Sequence, residues 1–209
     1  MKELPDQSSF ARHRRRTAGG KTRRRSERAH AAIYRAALAG LDAEGYGRLS
    51  IESIAARAGA GKATIYRWWP SKAALILDAY VHTHARQVAV PVGPFEAALA
   101  RFLADTCRRL RTTSDGPAMA ALMAEAQRDA AFGAMFRRRW IAARRGVLGQ
   151  LLQRGVREGR LRRGLDLEVV LDMLYGPIWY RLLNRHAPLD RVFARRLWAQ
   201  VRRGIAGDA

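Results

Sequence analysis

Cysteine is almost missing from this chain: Cys107 stands alone among 209 residues. No internal disulfide can form, and a reducing, cytoplasmic home is expected. Long apolar runs are missing as well. Nothing approaches the roughly 20 residues that a membrane span requires. The first residues are charged and lack the apolar centre of a secretion signal, so neither a membrane protein nor an exported one is expected. No stretch alternates apolar and polar residues as a half-buried strand does, and no internal repeat is visible. HExxH, CxxC, P-loop and nucleophile motifs are all lacking. His82 and His84 lie two apart and point in different directions on a helix, a poor metal pair. No enzyme, metal site or cofactor is expected.

Acid is scarce too. Eighteen Asp and Glu face 39 Lys and Arg, for a formal charge of +21. Bias toward arginine explains why only Lys2, Lys21, Lys62 and Lys72 are lysines, but it does not explain the excess of base over acid. A field of this size attracts nucleic acid or an anionic lipid surface. With 48% hydrophobic residues, the chain also has the material for a real core.

What is present is helical. Residues 1–25 form a basic stretch without periodicity, in which Arg14, Arg15, Arg16 and Arg23, Arg24, Arg25 bracket Gly19-Gly20, and they read as a disordered arm. From Ser26, the residues Ile33, Ala36, Ala37, Gly40 and Leu41 build one apolar stripe, and Gly45 offers a left-handed stop. Ser50 caps a second helix with Ile51, Ile54, Ala55 and Ala58 facing inward. Glycines at 59 and 61 make a turn, and a short third helix follows from Lys62 to Trp69. Pro70 ends it, and Ser71 caps a fourth helix to about Val88. The segment "VAVPVGP" is an internal boundary. Beyond it, helices are expected over Phe95 to Arg111, Pro117 to Ala130, Phe132 to Glu158, Asp166 to His186, and from Pro188 to near Ile205. The fold class is all-α.

Two short helices across a glycine turn, the second basic and aromatic, fit a helix-turn-helix. At about 100° per residue, Ile65 and Trp69 share one face of the third helix and belong to the core. Ala63 and Arg67 lie opposite, flanked by Lys62 and Tyr66, and Thr64 and Trp68 form the remaining side. Short side chains at the start of the helix let its backbone approach base edges. Lys62 suits guanine O6 and N7, Thr64 a thymine methyl or a phosphate, and Tyr66 and Lys72 the phosphate backbone. Arg67 suits either. The competing reading makes Tyr66 and Trp68 packing residues and Lys62 and Lys72 solvated ones.

The stretch "LSIESIAARAGAGKATIYRWWPSKAALILDAY", preceded by "IYRAALAGLDAEGYG", resembles the DNA-binding signature of TetR-family transcriptional regulators. The resemblance implies a homodimer of all-helical subunits on double-stranded DNA. It divides the chain into the arm (1–25), a helix-turn-helix domain (26–72) and a helical ligand-binding and dimerisation domain (73–209). It places Lys62, Ala63 and Thr64 near bases and Tyr66, Arg67 and Lys72 at phosphates or the groove edge, with Ser50 and Gly61 beside them. The family pattern often has serine or threonine where this chain has Ala60 and Gly61, so contacts there fall to backbone N–H groups.

"LDMLYGPIWYRLLNRHAPLD" resembles one recurrent C-terminal variety, in which Gly176-Pro177 interrupts a helix. Leu171, Leu174, Ile178 and Leu182, with Val192, Phe193, Leu197 and Val201 after the loop, form two stripes. These would pair with a second subunit in a four-helix interface, or pack within one subunit. An effector pocket would draw on the large adaptable side chains Phe102, Met119, Leu122 and Met123, together with Phe136, Trp140, Tyr175 and Trp179. The same residues also suit an ordinary core. Cys107 is expected to be buried and inert. The expected activity is a repressor on a palindromic operator, released when a small molecule shifts the fourth helix. The alternatives are an activator or low-specificity DNA binder of the same fold, and a basic module on an anionic membrane surface.

Overall fold

The computed structural model describes the backbone of residues 8–84 and 90–207, and side chains of residues 26–83 and 90–207. The helices are α1 (Ser8–Arg48), α2 (Ile51–Ala58), α3 (Lys62–Trp68), α4 (Lys72–His84), α5 (Phe95–Thr112), α6 (Asp115–Arg128), α7 (Ala130–Phe136), α8 (Ala142–Arg157), α9 (Leu167–Asn184) and α10 (Arg191–Ile205). A π-helical segment, Arg137–Ile141, joins α7 to α8. Among the described residues no strand forms beyond one isolated bridge, Leu161 to Ala206. No helix there is long and apolar enough to cross a membrane.

The N-terminal trio assembles as its sequence dictates. Ile33, Ala37 and Leu41 of α1 are fully buried or nearly so and meet Ile51 and Ile54 of α2 and Ile65 of α3. Ser50 caps α2 in a reciprocal box: its hydroxyl accepts from the Ser53 N–H at 3.0 Å, and the Ser53 hydroxyl accepts from the Ser50 N–H at 3.3 Å. Gly59, at φ +61°, closes α2 in the left-handed conformation, which glycine adopts without a Cβ penalty. Gly45 has φ +74° and breaks α1 as expected, although helical turns resume to Arg48.

Three boundaries differ from the sequence reading. The backbone of residues 8–25 is helical and continuous with α1, where a disordered arm was expected; arginine and alanine favour helix, and no proline stands between Pro5 and Pro70. Residues 1–7 and 85–89 lie outside the described residues, as does the expected end of α4 at Val88. The long helix expected from Phe132 to Glu158 is divided by the π segment, a one-residue widening that periodicity cannot reveal. α9 runs through Gly176-Pro177 without interruption. The carbonyl that Pro177 leaves unbonded belongs to Met173, on the exposed side of the helix, where solvent can satisfy it.

α4 is the spine of the molecule. Its residues Ala73 to Leu77, then Ala79 and Tyr80, are all buried, because the helix is enclosed by α1, α6, α7 and the π segment. Behind it α5 lays Phe95, Leu99, Leu103, Cys107 and Leu110 along one buried stripe against α10, α6 and α8. Burial pushes the Cys107 thiol up to about 11, so the thiolate is disfavoured and the cysteine is a packing residue.

Candidate nucleic-acid interface

α3 stands on the surface by two buried anchors. Ile65 is fully buried and Trp69, immediately after the helix, nearly so, as the helical wheel requires. Opposite them Lys62, Ala63, Tyr66 and Arg67 are exposed, Tyr66 by 52%, and Thr64 is half-buried. The N-cap residue Gly61 makes no side-chain hydrogen bond, as the missing serine or threonine implies. Lys62 is tied to Glu52 of α2 at 2.7 Å, both side chains more than half exposed. The Lys62 hydrogen bond holds the Glu52 carboxyl below its usual range. An ion pair this open is worth little, and a phosphate or a base edge competes for Lys62 easily.

Two expected contact residues turn inward. The Lys72 ammonium donates to the carbonyls of Tyr46 at 2.7 Å and Leu49 at 2.8 Å and lies 4.3 Å from the centroid of the Tyr46 ring. Burial pulls its pKa down, with Glu125 opposing. Lys72, which by type suits a phosphate, thus clamps the α1–α2 turn, because the carbonyls there lie within its reach. Ser50 likewise spends its hydroxyl on the cap.

The C-terminal end of α3 is held by a cluster that no motif announces. Asp78 of α4 accepts from the Tyr34 hydroxyl at 2.6 Å and the Trp69 indole at 2.8 Å, and it pairs with Arg139 of the π segment. Burial alone would raise the Asp78 pKa, but the Tyr34, Trp69 and Arg139 hydrogen bonds outweigh it and hold the carboxyl below its usual value. His30 of α1 stacks on Trp68 with centroids 3.8 Å apart and meets Trp69 at 5.0 Å. α3 is thus fixed to both α1 and α4, and through Asp78 to the C-terminal body.

A surface helix on buried anchors, basic and aromatic outward, following a glycine turn, has the geometry of a helix-turn-helix. Comparison with known proteins agrees. Residues 33–79 match the family model described as bacterial regulatory proteins, tetR family, and residues 91–201 match that of the tetracyclin repressor-like C-terminal domain. The HTH-type transcriptional regulator YdeS of Bacillus subtilis is 34% identical over 191 residues, 88% of this chain and 92% of YdeS. This chain belongs to the TetR family of DNA-binding transcriptional regulators. The crystal structure of the TetR family transcription regulator SCO0332 superposes with a TM-score of 0.74 at 31% identity, covering 85% of this chain and 98% of that one. An HTH-type transcriptional regulator of Mycobacterium bovis is 32% identical over 158 residues, 74% of this chain and 77% of its own.

In this TetR-family subunit the C-terminal cleft lies between α6, the π segment, α8 and α9. Its outer part, about 310 Å³, is lined by Met123, Ile141, Arg144, Tyr175 and Trp179 among others. A small inner chamber of about 30 Å³ continues to Met119, Trp140 and Arg109. Five of the eight residues expected to line a pocket, Met119, Met123, Trp140, Tyr175 and Trp179, are brought together. Phe102, Leu122 and Phe136 line neither cavity; Leu122 and Phe136 are core, and Phe102 packs on it. The arginines of the cleft were missed, because a cationic wall cannot be told from a solvated face by composition.

The two stripes of α9 and α10 follow the second of the alternatives left open and pack within the subunit. Leu171, Leu174, Ile178 and Leu182 are buried within the subunit, as are Phe193, Leu197 and Val201; Val192 alone of that set is exposed, by 44%. The richest apolar stripe of an amphipathic helix goes to its own core first. The outward face of α9 instead carries Val169, Met173, Tyr180 and Leu183, each more than 40% exposed, at steps of four, seven and three residues and with Gly176 between them.

Proposed function

We propose that the protein is a repressor that grips a palindromic operator as a homodimer and lets go when a small molecule fills the cleft between α6, α8 and α9. One observation carries the effector part of this reading. The line Trp69–Asp78–Arg139 joins the end of the recognition helix to the π segment, and the next residue, Trp140, is a wall of the cleft. Tyr80 of α4 meets the same Trp140 ring edge-on at 6.0 Å. A molecule that prefers one position of the π segment shifts α4 and α3 with it, as a population shift between two dimer geometries.

On the operator, Lys62, Ala63 and Thr64 approach base edges, the Gly61 backbone lies close, and Tyr66 and Arg67 hold phosphates. The basic residues of 1–25 add phosphate contacts. The exposed α9 stripe supports a homodimer: paired with its copy, it continues a left-handed helical seam. The protein works in the cytoplasm, beside the DNA it reads.

The test is selection of bound sequences from random DNA, followed by footprinting and stoichiometry. The expected result is an inverted repeat whose half-sites lie about 34–36 Å apart or a multiple of it, occupied by two protomers or a multiple of two. A single unrepeated site bound by one protomer would overturn the dimeric reading. Transcription in vitro that rises when the protein is added would replace repression by activation.

A further inference from the structure

Arg144 and Arg145 are neighbours in sequence with opposite surroundings. Arg145, at the mouth of the cleft, is neutralised twice: it pairs with Glu168 and with Asp172 of α9, each at 2.5 Å. Arg144 points into the cleft and forms no ion pair among the described residues. Its guanidinium lies 4.3 Å from the centroid of the Trp140 ring and borders both the inner chamber and the outer cleft. Arg109 of α5 adds a second positive charge to the inner wall and Asp115 of α6 one negative charge, which leaves the wall net cationic. Burial, and then Arg109, pull the Arg144 pKa down to about 10, against Tyr175 and Asp115. At neutral pH the group is still charged.

A desolvated cation without a paired carboxylate is costly unless something else supplies the negative charge. The α9 carboxylates nearest in sequence to the cleft are taken by Arg145. The Tyr175 hydroxyl donates to the Arg144 backbone carbonyl at 3.0 Å, which fixes the first turn of α8 against α9 and aims the guanidinium. The remaining wall is apolar and aromatic: Met123, Ile141, Tyr175 and Trp179. A volume of about 310 Å³ lies at the small end of ligand sites.

Building on the reading of the cleft as an effector site, we infer that the effector is a compact organic acid, a carboxylate on an aromatic or medium-chain apolar body. Arg144 receives its head group as a two-pronged hydrogen-bonded pair. The apolar body lies against Tyr175 and Trp179, and the planar guanidinium keeps its stack on Trp140.

The test uses the full chain and four probes, 2-naphthoate, 2-naphthalenemethanol, dodecanoate and dodecanol, with calorimetry and quenching of tryptophan emission as readouts. At least one acid is expected to bind at least tenfold more tightly than its own alcohol. Arg144→Met is expected to erase that preference, and Arg144→Lys to keep part of it. Thermal unfolding of each variant checks that the fold is retained. Arg145→Met should keep the preference; if it abolishes the preference while Arg144→Met does not, the head group sits at the mouth and the inference is wrong. Alcohols that bind as tightly as the acids, or four probes that do not bind, overturn it as well. Operator release is measured separately. An acid that binds through Arg144 without releasing DNA upholds this site and refutes the release mechanism. Release by acid and alcohol alike does the reverse.

Discussion

The indole N–H of Trp69 donates to the carboxylate of Asp78 at 2.8 Å, so the residue that ends the recognition helix is bonded to the helix that enters the C-terminal body. The same carboxylate receives Tyr34 from α1 and Arg139 from the π segment. Removing it strands two donors and a cation at once. Asp78→Ala is expected to cost about 2–4 kcal/mol of stability and to weaken operator binding. Trp69→Phe, which keeps the ring and loses one hydrogen bond, is expected to cost about 1 kcal/mol. Denaturant unfolding with an unchanged slope measures both; an Asp78→Ala protein as stable as the parent would show that the cluster is not structural.

Acid should loosen the same region before it unfolds the whole. Burial lowers the His30 pKa from its ordinary 6.5, with Asp78 opposing and His82 assisting. The folded state thus prefers the neutral imidazole that stacks on Trp68. A depressed folded pKa gives a contribution that is complete above about 6.5 and is lost as pH falls through the lower folded value. The melting temperature is expected to drop as the pH is lowered below about 6.5, and His30→Phe to flatten that part of the profile. A wild-type profile that stays level over that range would refute the assignment.

Tyr66 and Lys72 should separate cleanly. Tyr66→Ala removes an exposed side chain and should change stability by less than about 0.5 kcal/mol while lowering operator affinity roughly tenfold, the worth of one phosphate hydrogen bond. Lys72→Met strands the carbonyls of Tyr46 and Leu49 and should lower stability by about 1–2 kcal/mol, with operator binding weakened through the displaced turn. Anisotropy titrations beside thermal melts decide; a Lys72→Met protein that melts normally but fails on DNA would restore Lys72 as a direct contact.

The oligomer should depend on the outward face of α9 and not on its buried stripe. The double substitution Met173→Glu with Tyr180→Glu is expected to give a folded monomer in sedimentation equilibrium. Leu174→Ala, in the subunit core, is expected to cost about 2–5 kcal/mol of stability at an unchanged association state once folded. A double mutant that stays dimeric would place the interface elsewhere.

The amino-acid sequence by itself determined the elements that depend on near neighbours along the chain. The Ser50 cap, the Gly59 turn, the inward pair Ile65 and Trp69, and the Ser71 cap, whose hydroxyl accepts from Ala74 at 3.1 Å, all follow from spacing and local chemistry. So did the outward placing of Lys62, Ala63, Tyr66 and Arg67, because a helical wheel needs only the pitch of the helix. What only the tertiary structure decided are the matters of which distant groups meet. Lys72 finds carbonyls 23 and 26 residues away, Asp78 gathers partners from α1, the turn after α3, and the π segment, and Arg144 lies over the Trp140 ring while Arg145 meets the carboxylates of α9. Periodicity likewise marks the faces of α9 but cannot rank them: the subunit core takes the one that buries most apolar surface, and what remains outside is the face another molecule can use. Local propensity acts over a few residues, whereas desolvation and pairing are properties of the assembled interior.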